Sequence, residues 1–425
     1  MNEQLIVKNF GPIKDATVDF KRVTVFIGPT GGGKSTLAKL AAIFGDRQYS
    51  FLDSLPMQKK STSLTDYALT SHTKSDSRIE LLADNTLKFL SIADGYVKGN
   101  FPDEILDEYF QEVEENDRLS ADVQKIITAI IEKTNSSQAG ESKISLKSAQ
   151  SLLEEVKIRH QTLKNGMQER LYLYSSQYIP SERIFVPAIE YSWPGLMRDD
   201  IGLPKLLLNF ANSFSLSRKS ISELDIAFLN AKYLHINGRD FIKIPDRGEP
   251  MMLLETASGI QSVTPLLVLL EHLSRNTEQA QSFIIEEPEL NLFPLAQFEL
   301  VKILVEKCAQ TVGKNDLVLT THSPYVLTAL NLLCYAYRIA QQDEATAKKV
   351  AKLIPRHCWI DPAQFAAYYV DRPDTKRKQQ VRSIINKKTG LIEENELDTA
   401  SDELGAIFDK LVRLRKPTQM PSRAK

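Results

Sequence analysis

The stretch IGPTGGGKST, from Ile27 to Thr36, fits the pattern G-x-x-x-x-G-K-[ST] of a phosphate-binding loop. The apolar run VTVFI at Val23–Ile27 precedes it, and LAKLAAIF at Leu37–Phe44 follows it with the composition of a helix. Backbone N–H groups can converge on a phosphate only where no side chain blocks them, and a run of glycines meets this condition. The N-terminal end of the following helix carries partial positive charge, which adds to the attraction of an anion. The order of strand, glycine loop and helix therefore predicts an α/β fold built around a phosphate site.

Each fixed position of this loop has a chemical role in nucleotide binding. Lys34 is expected to reach the terminal phosphates of ATP, and the Ser35 hydroxyl is expected to be a ligand of Mg²⁺. An ordinary glycine-rich turn is the alternative interpretation, although it requires neither the strand before the loop nor the helix after it. The predicted ATP-binding residues are Gly28, Pro29, Thr30, Gly31, Gly32, Gly33, Lys34, Ser35 and Thr36.

The composition limits the classes of protein to be considered. The chain has 425 residues, of which 42% are hydrophobic, and this predicts two or three domains with a sizeable core. The 53 Lys and Arg nearly balance the 54 Asp and Glu, so contact with nucleic acid would have to come from a local basic patch. Cys308, Cys334 and Cys358 lack the spacing of metal ligands, no signal peptide precedes Leu5, and no apolar run approaches the roughly 18 residues of a membrane span. We therefore expect a protein of the reducing cytoplasm without a membrane anchor.

Strand and helix patterns divide the chain into a discontinuous head and an insertion. The N-terminal residues alternate between apolar and polar around a turn at Asn9–Pro12, which predicts a small β-lobe. Beyond it, helical runs and acidic stretches replace the strand patterns, without the sustained heptads of a long coiled coil. We predict a helical insertion at residues 51–170 within an ATPase head that consists of residues 1–50 and 171–425, with a mostly parallel sheet flanked by helices.

Four shorter patterns add detail to the head. Strand character returns at Arg183–Pro187, and the run YLHINGRDFIKI at Tyr233–Ile244 places Asn-Gly between alternating apolar residues, which predicts a hairpin with a two-residue turn. A short strand is expected at Met251–Leu254. Near the C-terminus a stripe of apolar residues at helical spacing predicts a face packed in the core, with a subunit contact as the alternative. The stripe consists of Leu404, Ile407, Phe408, Leu411 and Leu414.

The stretch FIIEEPELNLFP, from Phe283 to Pro294, is an apolar strand that ends in carboxylates. Two adjacent glutamates at the carboxyl end of a strand suit two tasks: Glu286 faces the Mg²⁺ shell, and Glu287 polarises the attacking water. Because adjacent residues of a strand point in opposite directions, we expect at most one of them to project straight at the phosphate. An exposed acidic strand end is the alternative.

Two further stretches carry candidate functional residues. The buried-type strand LVLTT ends in His322, which lies where nucleotide sites form in parallel sheets and is expected to sense the γ-phosphate. In ETASGIQS, Ser258, Gly259 and Gln261 begin an apolar helix, and a small Ser-Gly turn at a helix start is another anion site. Since the chain already has one phosphate loop, we expect this second site to face the ATP of a partner subunit. An inert loop histidine and a helix cap by Ser258 are the alternatives.

Four motifs carry a resemblance to a known family: the phosphate loop, the Ser-Gly-x-Gln turn, the strand that ends in Glu-Glu-Pro-Glu, and Thr-His-Ser-Pro. Together they resemble the ABC-type ATPase head of the group that contains the SMC, RecF and OLD proteins, which belongs among the AAA family ATPases. The resemblance implies that two heads sandwich two ATP molecules, each phosphate loop facing the other subunit's signature turn. It assigns Gly28–Thr36 to Walker A, Ser258–Gln261 to the signature, Phe283–Glu287 to Walker B, Pro288–Pro294 to the D-loop and His322 to the switch histidine. Glu286 stands where Asp is usual, as in many OLD-like heads, the ending Asn-Leu-Phe-Pro replaces the more frequent Leu-His-Pro, and Gln177 is only a candidate for the Q-loop glutamine.

Three segments resemble a narrower group, the compact OLD-like ATPases of bacterial anti-phage systems such as the ATPase subunits of PARIS and Septu. They are IVKNFGPIKDA, YIPSER and TGLIEENELDTASDEL. This resemblance implies a Mg²⁺-dependent ATPase, without nuclease activity of its own, that acts as a sensor or scaffold in antiviral defence. It further implies a homo-oligomer built from head dimers, a separate effector nuclease from a neighbouring gene, and a nucleic acid or phage protein as trigger.

Two other functions remain open from the sequence. A DNA repair or recombination ATPase of the RecF or SMC type would need a basic stripe on its dimer face, whereas the chain has only scattered runs such as Lys376–Lys378 and Lys387–Lys388. A non-catalytic scaffold would bind ATP as a structural element, and steady-state turnover distinguishes it from the other two.

Overall fold

The fold is known from a computed structural model of the chain. It describes residues 3–45, 64, 67–83, 87–93, 96–99, 174–189, 203–245, 247–275, 280–309, 315–374, 379–393 and 405–411. The strands are β1 (Glu3–Phe10), β2 (Ile13–Asp19), β3 (Val23–Ile27), β4 (Arg78–Ala83), β5 (Leu87–Ala93), β6 (Tyr96–Gly99), β7 (Tyr174–Ile179), β8 (Glu223–Ile226), β9 (Ala231–Ile236), β10 (Arg239–Lys243), β11 (Met251–Met252), β12 (Ala280–Glu286), β13 (Asp316–Thr321), β14 (Phe365–Val370) and β15 (Val381–Ser383). The α-helices are α1 (Lys34–Gly45), α2 (Val186–Ile189), α3 (Lys205–Ser217), α4 (Ser258–Ser274), α5 (Pro294–Ala309), α6 (Pro324–Ala340) and α7 (Glu344–Leu353).

A mostly parallel sheet occupies the centre, in the order β15-β14-β3-β13-β12-β7. Its pairs are parallel except for β14 with β15. Buried residues alternate between its two faces: Val25 belongs to one core cluster and Phe26 to the other. One face packs with α3 to α6, and the other packs with α1 and the N-terminal lobe. The prediction of an α/β fold with a mostly parallel sheet is confirmed.

The N-terminal lobe is an antiparallel sheet in the order β2-β1-β4-β5-β6. The predicted β-lobe is therefore present, but three of its strands come from the region predicted to be a helical insertion, so that prediction is wrong for β4, β5 and β6. The sequence RIELLA of β4 is rich in helix formers, and its pairing with β1, where Leu5 lies opposite Leu81, overrides that local preference. Residues 51–63, 65–66, 84–86, 94–95 and 100–170 of the predicted insertion lie outside the described residues, and the domain division stays a prediction.

A third sheet, in the order β11-β10-β9-β8, contains the hairpin predicted from its Asn-Gly turn. The φ angles of Asn237 and Gly238 are 52° and 76°, as a type I′ turn requires. The short strand β11 also forms, at Met251–Met252. The strand predicted at Arg183–Pro187 is wrong, because residues Ser181–Phe185 form a 3₁₀ helix and the edge strand β7 ends before them.

The apolar stripe near the C-terminus does not lie in the core. Residues 405–411 are helical, and Ile407, Phe408 and Leu411 are 52%, 65% and 60% exposed. The core interpretation is wrong for these three residues, because no other element in the described part of the chain covers their side chains. Leu404 and Leu414 lie outside the described residues.

The three cysteines, Cys308, Cys334 and Cys358, are free thiols buried beneath the sheet, and burial raises the pKa of each one. The helices in the described part of the chain are all too short or too polar to cross a membrane.

Candidate functional site

The phosphate loop joins β3 to α1 at the carboxyl edge of the central sheet. Gly28 and Gly33 have φ angles of 147° and 110°, which L side chains rarely adopt. A Cβ on Gly28 would lie 2.1 Å from the carbonyl oxygen of Val370, and one on Gly33 would lie 2.4 Å from Cδ1 of Ile13. The loop is therefore pressed between the end of β14 and the N-terminal lobe, and only glycine allows this curvature.

Lys34 is 6% exposed, and its Nζ donates hydrogen bonds to the carbonyls of Gly28 and Pro29 at 2.8 and 3.0 Å. Burial lowers the pKa of Lys34 to about 8, although three nearby carboxylates offset part of that effect. These carboxylates are Glu287, Glu286 and Glu289, in order of decreasing effect. The partly desolvated ammonium of Lys34, which is bonded to the glycine loop, is suited to bind an anion such as a triphosphate.

Glu286 is the last residue of β12 and is 5% exposed. Burial raises the pKa of its carboxyl group, and the neighbouring hydroxyls of Ser35 and Tyr178 lower it to a smaller extent. Oε1 of Glu286 is buried and has no hydrogen-bond partner among the described residues, and the same is true of the Tyr178 hydroxyl. A buried carboxylate oxygen without a partner beside a serine hydroxyl fits Mg²⁺, which prefers oxygen ligands and a carboxylate. Ser35 and Glu286 are thus the residues that would hold the metal ion.

Glu287 follows the strand in a left-handed conformation, with a φ angle of 42°. Its N–H donates to the carbonyl of Thr320 at 2.9 Å. Both carboxylates act on the pKa of Lys34, and Glu287 also lies near His322. The expectation that at most one of the two glutamates projects straight at the phosphate stays a prediction. The alternation of the strand ends with Glu286, and Glu287 begins the following turn in this left-handed conformation.

His322 follows β13 and places its Nε2 3.5 Å from Oε1 of Glu287. Burial, together with the positive charge of Lys34, lowers the pKa of His322, and Glu287 opposes this. The imidazole is therefore predominantly neutral at pH 7, with one nitrogen available as donor and the other as acceptor. The structure thus brings Lys34, Ser35, Glu286, Glu287 and His322 together at one edge of the sheet.

Arg183 is a site residue that the sequence pattern did not reveal. It is fully buried and donates from Nη1 to the carbonyl of Glu286 and from Nη2 to that of Glu287, both at 2.7 Å, and from Nη1 to that of Pro180 at 3.1 Å. Burial lowers the pKa of Arg183 to about 10, and the surrounding glutamates oppose this. Arg183 therefore fixes the backbone that carries both catalytic candidates. The sequence signal that could have identified Arg183 is its place as the last residue of YIPSER.

Glu289 was also missed, although it stands in the quoted Glu-Glu-Pro-Glu. Its Oε1 accepts hydrogen bonds from the Thr321 hydroxyl at 2.6 Å and from the His322 N–H at 2.9 Å. Burial raises the pKa of Glu289, and its Oε2 is buried with no partner in the described part of the chain. The Ser323 hydroxyl extends this network by donating to Oε1 of Gln297 at 2.5 Å. The loop after β12 is thereby joined to the loop that carries His322.

The Ser258–Gln261 turn lies at the start of α4, and it contacts the loop after β12. A Cβ on Gly259 would lie 2.6 Å from the carbonyl oxygen of Asn291. Ala257 holds the N-cap position and no side chain caps the helix, so the alternative that Ser258 is a helix cap is wrong. Gln261 bonds through Nε2 to the carbonyls of Leu254 and Thr256, at 2.9 and 2.6 Å. Among the described residues, no hydrogen bond or ion pair joins this turn to the phosphate loop of the same chain.

Next to this turn the surface is apolar. Phe293 and Leu295, which flank the start of α5, are 85% and 81% exposed, and Ser258 is exposed as well. Gln177, the Q-loop candidate, lies on β7 in register with Phe283, and its role stays a prediction.

Comparison with known families matches residues 1–184 and 70–327 to the family described as AAA ATPase domain. The chain belongs to this family. Membership in the AAA ATPase family implies that the phosphate loop binds a nucleotide, generally with Mg²⁺. A search among curated proteins finds no match.

Several solved structures are similar to this AAA ATPase. The Smc head domain of Pyrococcus furiosus, with an extended coiled coil and bound to the C-terminal domain of ScpA, is 11% identical with a TM-score of 0.36, over 95% of this chain and 98% of that chain. The SMC head domain of Thermotoga maritima is 13% identical with a TM-score of 0.34, over 77% and 92%. The recombination mediator protein RecF with bound ATPrS is 14% identical with a TM-score of 0.27, over 76% and 94%.

Proposed function

We propose that this chain hydrolyses ATP in the manner of an ABC-type head, at a site shared between two copies. The observation that carries the proposal is the convergence of Lys34, Glu286, Glu287 and His322 at the carboxyl ends of β3, β12 and β13. Ligands of open α/β sheets bind at this edge. A cation, a metal ligand, a base and a neutral imidazole around a glycine loop are the groups that phosphoryl transfer requires.

Each side chain has a distinct role in this proposal. The loop N–H groups and Lys34 bind the phosphates. Ser35 and Glu286 would hold Mg²⁺, which would neutralise charge on the phosphate oxygens. Glu287 orients the attacking water and accepts its proton, and His322 donates a hydrogen bond toward the γ-phosphate.

The second copy supplies the signature turn. Ser258 is exposed at a helix start, so it is available to the nucleotide of another subunit. The exposed Phe293 and Leu295 beside it supply apolar area that a partner copy would bury. This arrangement supports a homo-oligomer built from head dimers.

The biological role that we propose is that of a cytoplasmic sensor or scaffold subunit in anti-phage defence, related to the ATPase subunits of PARIS and Septu. ATP-dependent rearrangement of the heads gates a separate effector, a nuclease encoded by a neighbouring gene, after a nucleic acid or phage protein acts as trigger. The resemblance of YIPSER supports this role, because Arg183 of that run holds the glutamates of the ATP site.

The decisive experiment compares ATP turnover by the purified chain and by variants. We expect Lys34→Ala to bind ATP poorly, and Glu287→Gln to bind ATP and to accumulate as a closed dimer with turnover reduced roughly 10²-fold or more. Lys352→Ala and Glu306→Gln, at exposed positions of α7 and α5, serve as matched controls. Normal turnover in both site variants would refute the site.

Co-expression tests the biological role. Cells that express the chain alone should stay healthy, and cells that also express the neighbouring gene should show toxicity that requires both a phage trigger and Lys34. Turnover that duplex DNA stimulates, without any effect of the neighbour, would instead support a DNA repair ATPase of the RecF or SMC type.

A further inference from the structure

Gln380 is a buried amide that lies against the phosphate loop. It is 5% exposed, and its Nε2 donates to the carbonyls of Pro12 at 2.9 Å, Gly32 at 3.1 Å and Asp371 at 3.2 Å. Its Oε1 accepts a hydrogen bond from the N–H of Lys14 at 2.8 Å. Three carbonyls on one side and one N–H on the other determine which way the amide points. One side chain thus connects the β1–β2 turn, the glycine loop and the segment after β14.

The bond to Gly32 determines the direction of a peptide group in the glycine loop. A trans peptide is planar, so its C=O and the N–H of the next residue point in opposite directions. The described chain contains no cis peptide bonds. Holding the Gly32 carbonyl toward Gln380 therefore turns the N–H of Gly33 away from Gln380. This N–H is one of those that a phosphate-binding loop presents to its anion.

The segment that carries Gln380 also supports the loop sterically. A Cβ on Gly32 would lie 2.6 Å from the carbonyl oxygen of Val370. The N–H of Asp371 donates to the carbonyl of Gln380 at 2.9 Å. This bond joins the residue that follows β14 to the residue that precedes β15. The glycine loop therefore rests on the β14–β15 hairpin, and Gln380 is the side chain that fastens the two together.

We propose that Gln380 is a positioning residue for nucleotide binding, which preorganises the glycine loop from the β14–β15 hairpin. The inference rests on the proposed ATPase function, and it adds that the position of this hairpin sets the affinity for ATP. By linkage the coupling is reciprocal, so nucleotide binding strengthens the attachment of the hairpin.

Asn331 provides a matched control, since it also attaches the C-terminal segment through a side-chain amide. Its Nδ2 donates to the carbonyl of Ile392 at 3.2 Å, and its Oδ1 accepts from the N–H of Ile392 at 2.8 Å. Asn331 lies on α6, and its amide bonds to Ile392 and makes no hydrogen bond with the glycine loop in the described structure. A general loosening of this segment would affect both amides alike, whereas positioning of the loop depends on Gln380 alone.

The test measures the affinity of the full chain for a non-hydrolysable ATP analogue, together with kcat and KM. We expect Gln380→Ala to weaken nucleotide affinity about tenfold and to raise KM, with kcat within about threefold of the native value. Gln380→Glu keeps the size of the side chain but loses its donors, and it should weaken affinity at least as much. Asn331→Ala should lower Tm to a similar extent and leave affinity within about twofold.

Hydrogen exchange supplies a readout that does not depend on activity. The analogue should slow exchange at β15 of the native chain and of Asn331→Ala, but not of either Gln380 variant. Native affinity in Gln380→Ala, or equal losses in Gln380→Ala and Asn331→Ala, would overturn the inference. Lys34→Ala tests the proposed function separately. If the analogue binds equally well without Lys34, the proposed function fails, whatever the Gln380 variants show.

Discussion

Glu287 occupies a left-handed backbone conformation that costs a non-glycine residue roughly 1–2 kcal/mol. Arg183 stabilises this turn through its hydrogen bonds to the carbonyls of Glu286 and Glu287. Because the guanidinium is planar, its two terminal nitrogens reach the two carbonyls at once and hold both peptide groups in fixed directions. The orientation of the two carboxylates therefore depends on a cation that acts on them through the backbone.

Replacing Arg183 should impair hydrolysis more than binding. We expect Arg183→Met to lower kcat at least about tenfold while ATP affinity changes little, because Lys34 and the glycine loop keep their places. It should also lower the free energy of unfolding by about 3 kcal/mol, since buried carbonyls lose their donor. Arg183→Lys can reach only some of the carbonyls that Arg183 bonds, so its kcat and stability should lie between those of the native protein and of Arg183→Met. Steady-state kinetics and urea unfolding provide the measurement, and a loss confined to affinity would contradict it.

The affinity for ATP should decline at high pH because of Lys34. Its pKa is about 8 in the nucleotide-free protein, and the phosphates of ATP raise it in the complex. Below pH 8 the ammonium is already charged, whereas above pH 8 binding must take up a proton. We therefore expect the Kd for ATP to rise by up to about tenfold between pH 8 and 9. Lys34→Arg, which stays charged, should bind with little dependence on pH in this range, and an equal slope in both proteins would exclude Lys34 as the cause.

At the scale of elements, the loop between β12 and α5 connects the signature turn and the loop of His322, which lie far apart in the sequence. On one side it contacts Gly259 through Asn291, and on the other it bonds to the His322 loop through Glu289. A shift of this loop would therefore change the signature turn and the switch histidine together.

Gly259→Ala tests the first of these contacts. The added Cβ would meet the carbonyl oxygen of Asn291, so either α4 or the loop must move. We expect ATP turnover to fall at least about tenfold, with binding of ATP by a single subunit unchanged within about twofold. Gly248→Ala is the matched control, because its Cβ would have no neighbour within 4 Å. Equal activity of the two variants would show that the turn does not require this close packing.

The elements that the sequence predicted best are those whose pattern is local. The phosphate loop, the Asn-Gly hairpin and the buried strands β3, β12 and β13 each have a motif or an apolar run that specifies them. Strand β4 was missed because only pairing with β1, in which Leu81 lies opposite Leu5, makes it a strand. Arg183, Glu289 and Gln380 were missed as site residues for a similar reason: each acts on the backbone of a distant segment, and no spacing in the sequence encodes such a contact.

At the scale of the whole molecule, the proposed dimer makes a prediction that a monomeric enzyme does not. A Ser258→Arg chain lacks a usable signature turn, and a Lys34→Ala chain lacks a usable phosphate loop. Mixed together, they can still form one complete site, from the phosphate loop of the first and the signature turn of the second. We expect each variant alone to be inactive and the mixture to recover part of the turnover. No recovery, with mixed dimers shown to form, would indicate that each chain hydrolyses ATP alone.

The buried cysteines have a practical consequence for such experiments. Cys308, Cys334 and Cys358 are the chain's only thiols, and burial keeps all three protonated, with a pKa of about 12 for Cys334 and about 11 for Cys358. Because the thiolate is the form that reacts with maleimides, the native chain should label slowly in its folded state. A single cysteine introduced in place of the exposed Lys352, away from the proposed interface, would then carry a fluorophore at one known position. Energy transfer between two such copies can follow head closure in real time without removing any native cysteine.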